Sequence, residues 1–78
     1  MKIMIYSTPS CHACGMAKEF LKEQNLPFEE YDVASSAEKR KEMLQKTGQM
    51  SVPVIDIDGS VIVGFDKHVL ARKIGLTI

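Results

Sequence analysis

The chain has 78 residues, ten basic against ten acidic side chains for a formal charge of zero, 45% hydrophobic residues and no tryptophan. That length predicts a single domain over residues 1–78, and a chain so short hides only about 60% of its unfolded surface, which favours a site on a rim over a deep pocket. The composition excludes a disordered or collagen-like chain, the balanced charge leaves no footprint for nucleic acid, and no apolar run approaches the ~18 residues of a membrane span.

Lys2 to Tyr6 carries Ile3, Met4 and Ile5 in succession, the unbroken run of a strand covered on both faces, and Ser7 to Ser10 ends it with turn residues. This opening is also too short in apolar residues for a secretory leader, so a cytoplasmic location is expected. Beyond the cysteines, Ala13, Met16, Ala17, Phe20 and Leu21 recur at helical spacing as an inward stripe, with Lys18, Glu19, Lys22 and Glu23 facing away, until Asn25 and Pro27 end the helix. Phe28 to Val33 reads as a short strand nearer the sheet edge.

Ser35 and Glu38 form a capping-box pattern for a second helix that runs through Met43 and Leu44 and stops at Gly48. The charge run from Glu38 to Glu42 reads as its solvated face, and the methionines read as gap-filling core residues. Val54 to Ile57 and Val61 to Val63 are β-branched runs joined by Asp58-Gly59, a pair suited to a type I′ hairpin. Asp66 can cap a last helix whose Val69, Leu70 and Ile74 point inward before Gly75.

A right-handed βαβ unit makes the first two strands parallel, so both end at the edge where Cys11 opens the first helix. If the third strand runs antiparallel to the first, Pro53 starts it at that edge, and the hairpin returns Gly64, Phe65 and Asp66 to the same rim. Three segments then converge: Cys11 to Cys14, Ser51 to Pro53, and Gly64 to Asp66.

In a reducing compartment the only cysteines, Cys11 and Cys14, read as catalytic or metal-binding rather than as a staple. At the start of a helix Cys11 meets unpaired N–H groups and the positive end of the dipole, which shift a thiol by about one pKa unit towards thiolate. Cys14, one turn on and less exposed, suits the thiol that resolves a mixed disulfide. The competing reading is half of a zinc site, for which the chain offers only His12 and His68 as further nitrogen donors. His12 either steadies the Cys11 thiolate as imidazolium or is a solvated first-turn residue. Pro53 cannot donate to a ladder, and a cis bond after Val52 would present the N–H and C=O of Val52 to an extended substrate; a plain strand-start proline is the alternative.

These residues resemble the glutaredoxin family over essentially the whole chain. Thr8-Pro9-Ser10-Cys11-x-x-Cys14 is similar to its active-site entry, Gly48-Gln49-x-Ser51-Val52-Pro53 to its cis-proline loop, and Gly64-Phe65-Asp66 to its glycine-aspartate motif. The resemblance implies an α/β, thioredoxin-like fold in its minimal form, β-α-β-α-β-β-α, with a four-stranded mixed sheet in the order 2-1-3-4 flanked by three helices. It implies a thiol–disulfide oxidoreductase acting on protein or small disulfides, with Cys11 as nucleophile and Cys14 as resolving thiol. Val52 and Pro53 would clamp substrate backbone beside Gly64 and Phe65, and Asp66 would meet the γ-glutamyl end of glutathione; a modulating role for His12 comes from its position beside Cys11 and not from the resemblance.

No bound cofactor or metal is implied beyond a redox-active Cys11–Cys14 disulfide, and a monomer is expected, with no nucleic-acid or membrane partner. The departures concern glutathione. Many members carry a lysine at Thr8 and a basic residue at Met50, both for the tripeptide's glycine carboxylate, a glycine at Val63, a second aspartate at Lys67 and a proline at His12. Losing charge-assisted bonds worth about 1.5–3 kcal/mol each weakens glutathione, so the chain resembles the short members recharged by a thioredoxin reductase. The alternatives are a zinc or glutathione-assisted iron–sulfur module and a non-catalytic peptide-binding adaptor.

Overall fold

A computed structural model describes residues 2–75 and builds them as β1 (Ile3–Ser7), α1 (His12–Glu23), β2 (Glu29–Asp32), α2 (Ala37–Thr47), β3 (Val54–Ile57), β4 (Ser60–Val63) and α3 (Lys67–Ile74). The strands form one mixed sheet in the order β2-β1-β3-β4. β1 pairs parallel with β2, setting Ile5 against Glu30 and Ser7 against Asp32; β3 pairs antiparallel with both β1 and β4. This is the predicted thioredoxin-like topology.

Side-chain alternation along the strands divides the interior into two layers. Ile3 and Ile5 of β1 and Ile55 and Ile57 of β3 face one way, where they bury against Ala17, Phe20 and Leu21 of α1 and Leu70 and Ala71 of α3. Tyr6 and Val54 face the other way and pack with Val33 and with Met43 of α2. β1 is therefore covered on both sides, as its unbroken apolar run requires. The hairpin turn has φ of 50° at Asp58 and 92° at Gly59, the two left-handed residues of a type I′ connection.

Several expectations shift. β1 begins and ends one residue later than predicted, and β2 is confined to Glu29–Asp32 within the predicted Phe28 to Val33. The cap of α2 is Ser36, not Ser35: the Ser36 hydroxyl accepts the Lys39 N–H, whereas Ser35 is drawn into the preceding turn, its hydroxyl towards the Asp32 carbonyl. Met16 is 47% and Met50 58% exposed, so among the described methionines only Met43 is fully in the core and Met4 is packed against it from the half-buried margin. Lys18 does not simply face water; it reaches β2 and pairs with Glu30 at 2.5 Å.

The charge run on α2 is also more than a solvated face. Glu42 accepts the Tyr6 hydroxyl, and Lys46 of the same helix donates to that hydroxyl at 2.8 Å and to the buried Asp56 carboxylate at 2.6 Å. Burial, then the hydrogen bond to Glu42, raises the Tyr6 phenol above its ordinary pKa, while Glu42 is lowered, chiefly by that same bond. Burial alone would lower the Lys46 ammonium, but its bonds to Asp56 and Tyr6 outweigh that and hold it above the ordinary value.

Candidate active site

The turn after β1 is closed by the Cys11 N–H donating to the Thr8 carbonyl at 3.3 Å, which leaves Cys11 extended (φ −88°, ψ 110°) as the N-cap of α1. Its own sulfur serves as the capping acceptor, taking the Cys14 N–H at 3.1 Å, where a serine or aspartate oxygen usually stands. The first turn of α1 carries no acidic residue, so the amide and the dipole act on this sulfur without a nearby carboxylate on the helix to oppose them. The Sγ atoms of Cys11 and Cys14 stand at disulfide distance with Cα atoms 5.2 Å apart. Cys11 is partly exposed, whereas Cys14 is 1% exposed. His12, the first residue of the helix, is exposed, and its ring makes no hydrogen bond among the described residues.

The segments predicted to share the rim do end at one edge of the sheet. Tyr6 pairs with Val54 and Val54 with Val63, which puts the residues before β3 and after β4 beside the end of β1. The Val52–Pro53 bond is cis, Pro53 is buried, and the N–H and C=O of Val52 make no hydrogen bond among the described residues. The Pro53 carbonyl accepts the Gly64 N–H at 2.7 Å, tying the second segment to the third. Phe65 is half-buried over the first core layer, its ring centroid 6.2 Å from that of Phe20. Asp66 caps α3 with one oxygen, Oδ1, which accepts the N–H groups of His68 and Val69 at 3.0 and 3.2 Å. Oδ2 has no partner among the described residues. His68 is exposed.

On the opposite flank of Cys11 lies a cleft of about 390 Å³ lined by Thr8, Pro9, Cys11, Gly15, Lys18, Glu30 and Asp32. Sequence reasoning missed this flank. Its signal was present as Cys11, Gly15 and Lys18 at i, i+4 and i+7, one face of the helix, but the partner carboxylates come from β2 and needed the parallel register. The Glu30 carboxyl is lowered, first by Lys18 and also by the Ser7 hydroxyl, against the opposing effect of burial. Among the described residues no three of His, Cys, Asp and Glu gather as a possible ligand set for a metal ion.

Comparison with known proteins agrees with this geometry. The family model described as Glutaredoxin matches residues 3–62. An uncharacterised glutaredoxin-like 8.6 kDa protein from the rubredoxin operon of Clostridium pasteurianum is 49% identical over 72 residues, covering 92% of this chain and 96% of its own. The crystal structure of a variant of the thioredoxin-like protein BC3987 superposes with a TM-score of 0.90 at 36% identity, covering 96% of each chain. NrdH-redoxin from Escherichia coli, a glutaredoxin-like protein with a thioredoxin-like activity profile, superposes with a TM-score of 0.81 at 26% identity over 92% of this chain and 93% of that one. With the family model spanning most of the length and Cys11 of the cysteine pair capping the first helix, the chain belongs to the glutaredoxin family.

Proposed function

We propose that this chain, acting as one domain over residues 1–78, is a dithiol–disulfide oxidoreductase that reduces protein or small-molecule disulfides, with Cys11 as nucleophile and Cys14 as resolving thiol. The observation that carries the reading is the Cys11 sulfur itself: partly exposed, capping α1, bonded by the Cys14 N–H and within disulfide reach of a buried second sulfur. A thiolate there gains from the helix end, and Cys14, shielded from solvent, meets a substrate only through the mixed disulfide already formed on Cys11. The unpaired backbone of Val52 offers an extended substrate a donor and an acceptor beside the reactive sulfur, with Pro53, Gly64 and Phe65 completing the rim. His12 would act only by proximity, as a nearby positive charge when protonated.

The electron donor we favour is a thioredoxin reductase over glutathione. Thr8 and Met50 bring no positive charge to the rim, Met50 stands 58% exposed, and the one Asp66 oxygen left over from capping is a single anchor for the γ-glutamyl amine. The likeness to NrdH-redoxin, named for its thioredoxin-like profile, supports the same choice. No helix among the described residues is long and apolar enough to cross a membrane. We place the activity in the reducing cytoplasm, in a monomer, with no nucleic-acid or membrane partner.

NADPH oxidation coupled to reduction of a model disulfide tests the donor, with thioredoxin reductase alone in one arm and glutathione plus glutathione reductase in the other. Faster turnover with the first is expected; faster turnover with the second would reverse the donor assignment. Stoichiometric metal that survives dialysis of anaerobically purified protein, with no disulfide reduction in either arm, would replace the enzyme reading by a metal-binding one. Full binding of a partner by a Cys11→Ser, Cys14→Ser double variant would favour an adaptor.

A further inference from the structure

Gly15 is the one glycine of the described residues whose backbone gives no reason for it. Gly48, Gly59, Gly64 and Gly75 all have φ between 71° and 94°, where a side chain is strained, but Gly15 lies inside α1 with no such φ. A Cβ added there would meet nothing within 4 Å. A glycine inside a helix is less stable there than alanine, so the helix gives up stability at this position with no conformational or packing return within the described residues. The space it leaves open is the cleft between α1 and β2, and that cleft is shared with Cys11.

The charges lining the cleft are one ammonium and two carboxylates. Lys18 is closed on Glu30 at 2.5 Å, and the Ser7 hydroxyl donates to the same Glu30 oxygen at 3.0 Å, so this pair is already satisfied. Asp32 remains. Its Oδ1 accepts the Ala34 N–H at 2.9 Å, and its Oδ2 has no partner among the described residues. Beside the reactive sulfur there is thus an unfilled space, open along the helix at Gly15, whose lining residues carry one more negative than positive charge and a carboxylate oxygen to spare, with Lys22 acting on Glu30 from the next turn of α1. The substrate rim of Val52, Pro53 and Phe65 lies towards β3 and β4, on the other side of β1.

We propose that this cleft is a head-group subsite that selects small disulfides carrying a primary ammonium close to the sulfur, with Asp32 as the specificity-determining residue and Gly15 as the opening that admits the group. The inference rests on the reading of the chain as a disulfide reductase. In the reaction, the Cys11 thiolate attacks one sulfur of RS–SR, the substrate S–S bond breaks, a Cys11–SR bond forms and RS⁻ leaves. Cys14 then attacks the Cys11 sulfur, releasing the second RS⁻ and closing the Cys11–Cys14 disulfide. The dithiol loses two electrons and two protons, and the substrate gains them as two thiols. With the ammonium of R held at Asp32, the first attack is oriented before it begins.

The test uses reduced protein without oxygen and three disulfides: cystamine, with two ammonium groups; 2-hydroxyethyl disulfide, with none; and 3,3′-dithiodipropionate, with two carboxylates. Each second-order rate is divided by that of the same disulfide with dithiothreitol, which removes differences in leaving-group reactivity. The normalised rate for cystamine is expected to exceed that for 2-hydroxyethyl disulfide about fivefold, the worth of one partly exposed ion pair, with dithiodipropionate slowest and the spread narrowing in 1 M salt. Asp32→Asn retains an oxygen for the Ala34 N–H and should bring the cystamine preference close to one; Gly15→Leu, a good helix former, should do the same by filling the cleft. Equal normalised rates in the wild type, or a preference that survives Asp32→Asn, would overturn the subsite while leaving the reductase intact. No reduction of any of the three would overturn the reductase reading and the subsite with it.

Discussion

Two sulfurs one helical turn apart differ in almost everything that governs their chemistry. Cys11 is partly exposed and takes an amide hydrogen bond, while Cys14 is 1% exposed. Cys11→Ser is expected to abolish disulfide reduction, and Cys14→Ser to attack once and stall as a mixed disulfide on Cys11. Mass spectrometry of each variant after exposure to substrate checks this; an adduct on Cys14 of the Cys11 variant, with Cys11 inert in the other, would exchange the two assignments. The pair was legible because Cys-x-x-Cys between an apolar strand and an amphipathic helix is a local pattern. Asp32 was not legible, since nothing in Tyr31-Asp32-Val33 shows which carboxylate the parallel register sets opposite Ser7 and so near the reactive turn.

Helix ends are where short-range reading succeeds or slips by one residue. Gly48 and Gly75 both close their helices in the left-handed conformation, and Asp66 caps α3, all as the residue types predict. Ser35 and Ser36 are equally good caps by type, and the choice was made by the turn before them, where Asp32 receives the Ala34 N–H on its side chain and the Ser36 N–H on its carbonyl. Ser36→Ala is therefore expected to cost about 1 kcal/mol and Ser35→Ala less than about 0.5 kcal/mol, read from urea midpoints at constant slope. The reverse ranking would restore the capping box at Ser35. Met16 and Lys18 were misplaced for a related reason: helical periodicity fixes the angle of a side chain about its axis but not how far the neighbouring sheet reaches beneath it.

At the scale of the molecule, the layer under α2 is held by a polar network that single-residue patterns do not reveal. Asp56 stands between Ile55 and Ile57 in β3, faces the layer with Tyr6, and is buried with both oxygens bonded, Oδ2 to the Lys46 ammonium arriving from α2 and Oδ1 to the Gly59 N–H of the hairpin turn. The signs of the pKa shifts give the pH dependence. Glu30 and Glu42 are lowered on folding, so their contribution is present above the ordinary value of 4.5 and is lost as the pH falls through the folded values. Tyr6 and Lys46 are raised, so theirs is fully present below about pH 10 and is lost as the pH rises through the folded values. Urea midpoints should form a plateau across neutral pH with a fall at each end, and Tyr6→Phe should shallow the alkaline fall; an alkaline limb unchanged by that variant would remove Tyr6 from the network's titration.

The bond from Gly64 to the Pro53 carbonyl also acts on this larger scale. The β3–β4 hairpin is closed at its far end by Asp58-Gly59 and at its open end by this bond, so its two exits cannot separate without breaking it. A strand laid along Val52 therefore pulls on a stiff frame rather than on a loose loop, and the load passes through Gly64 to Asp66 and the first turn of α3. Mechanically, the two far rim segments are a single part, and α3 is its handle.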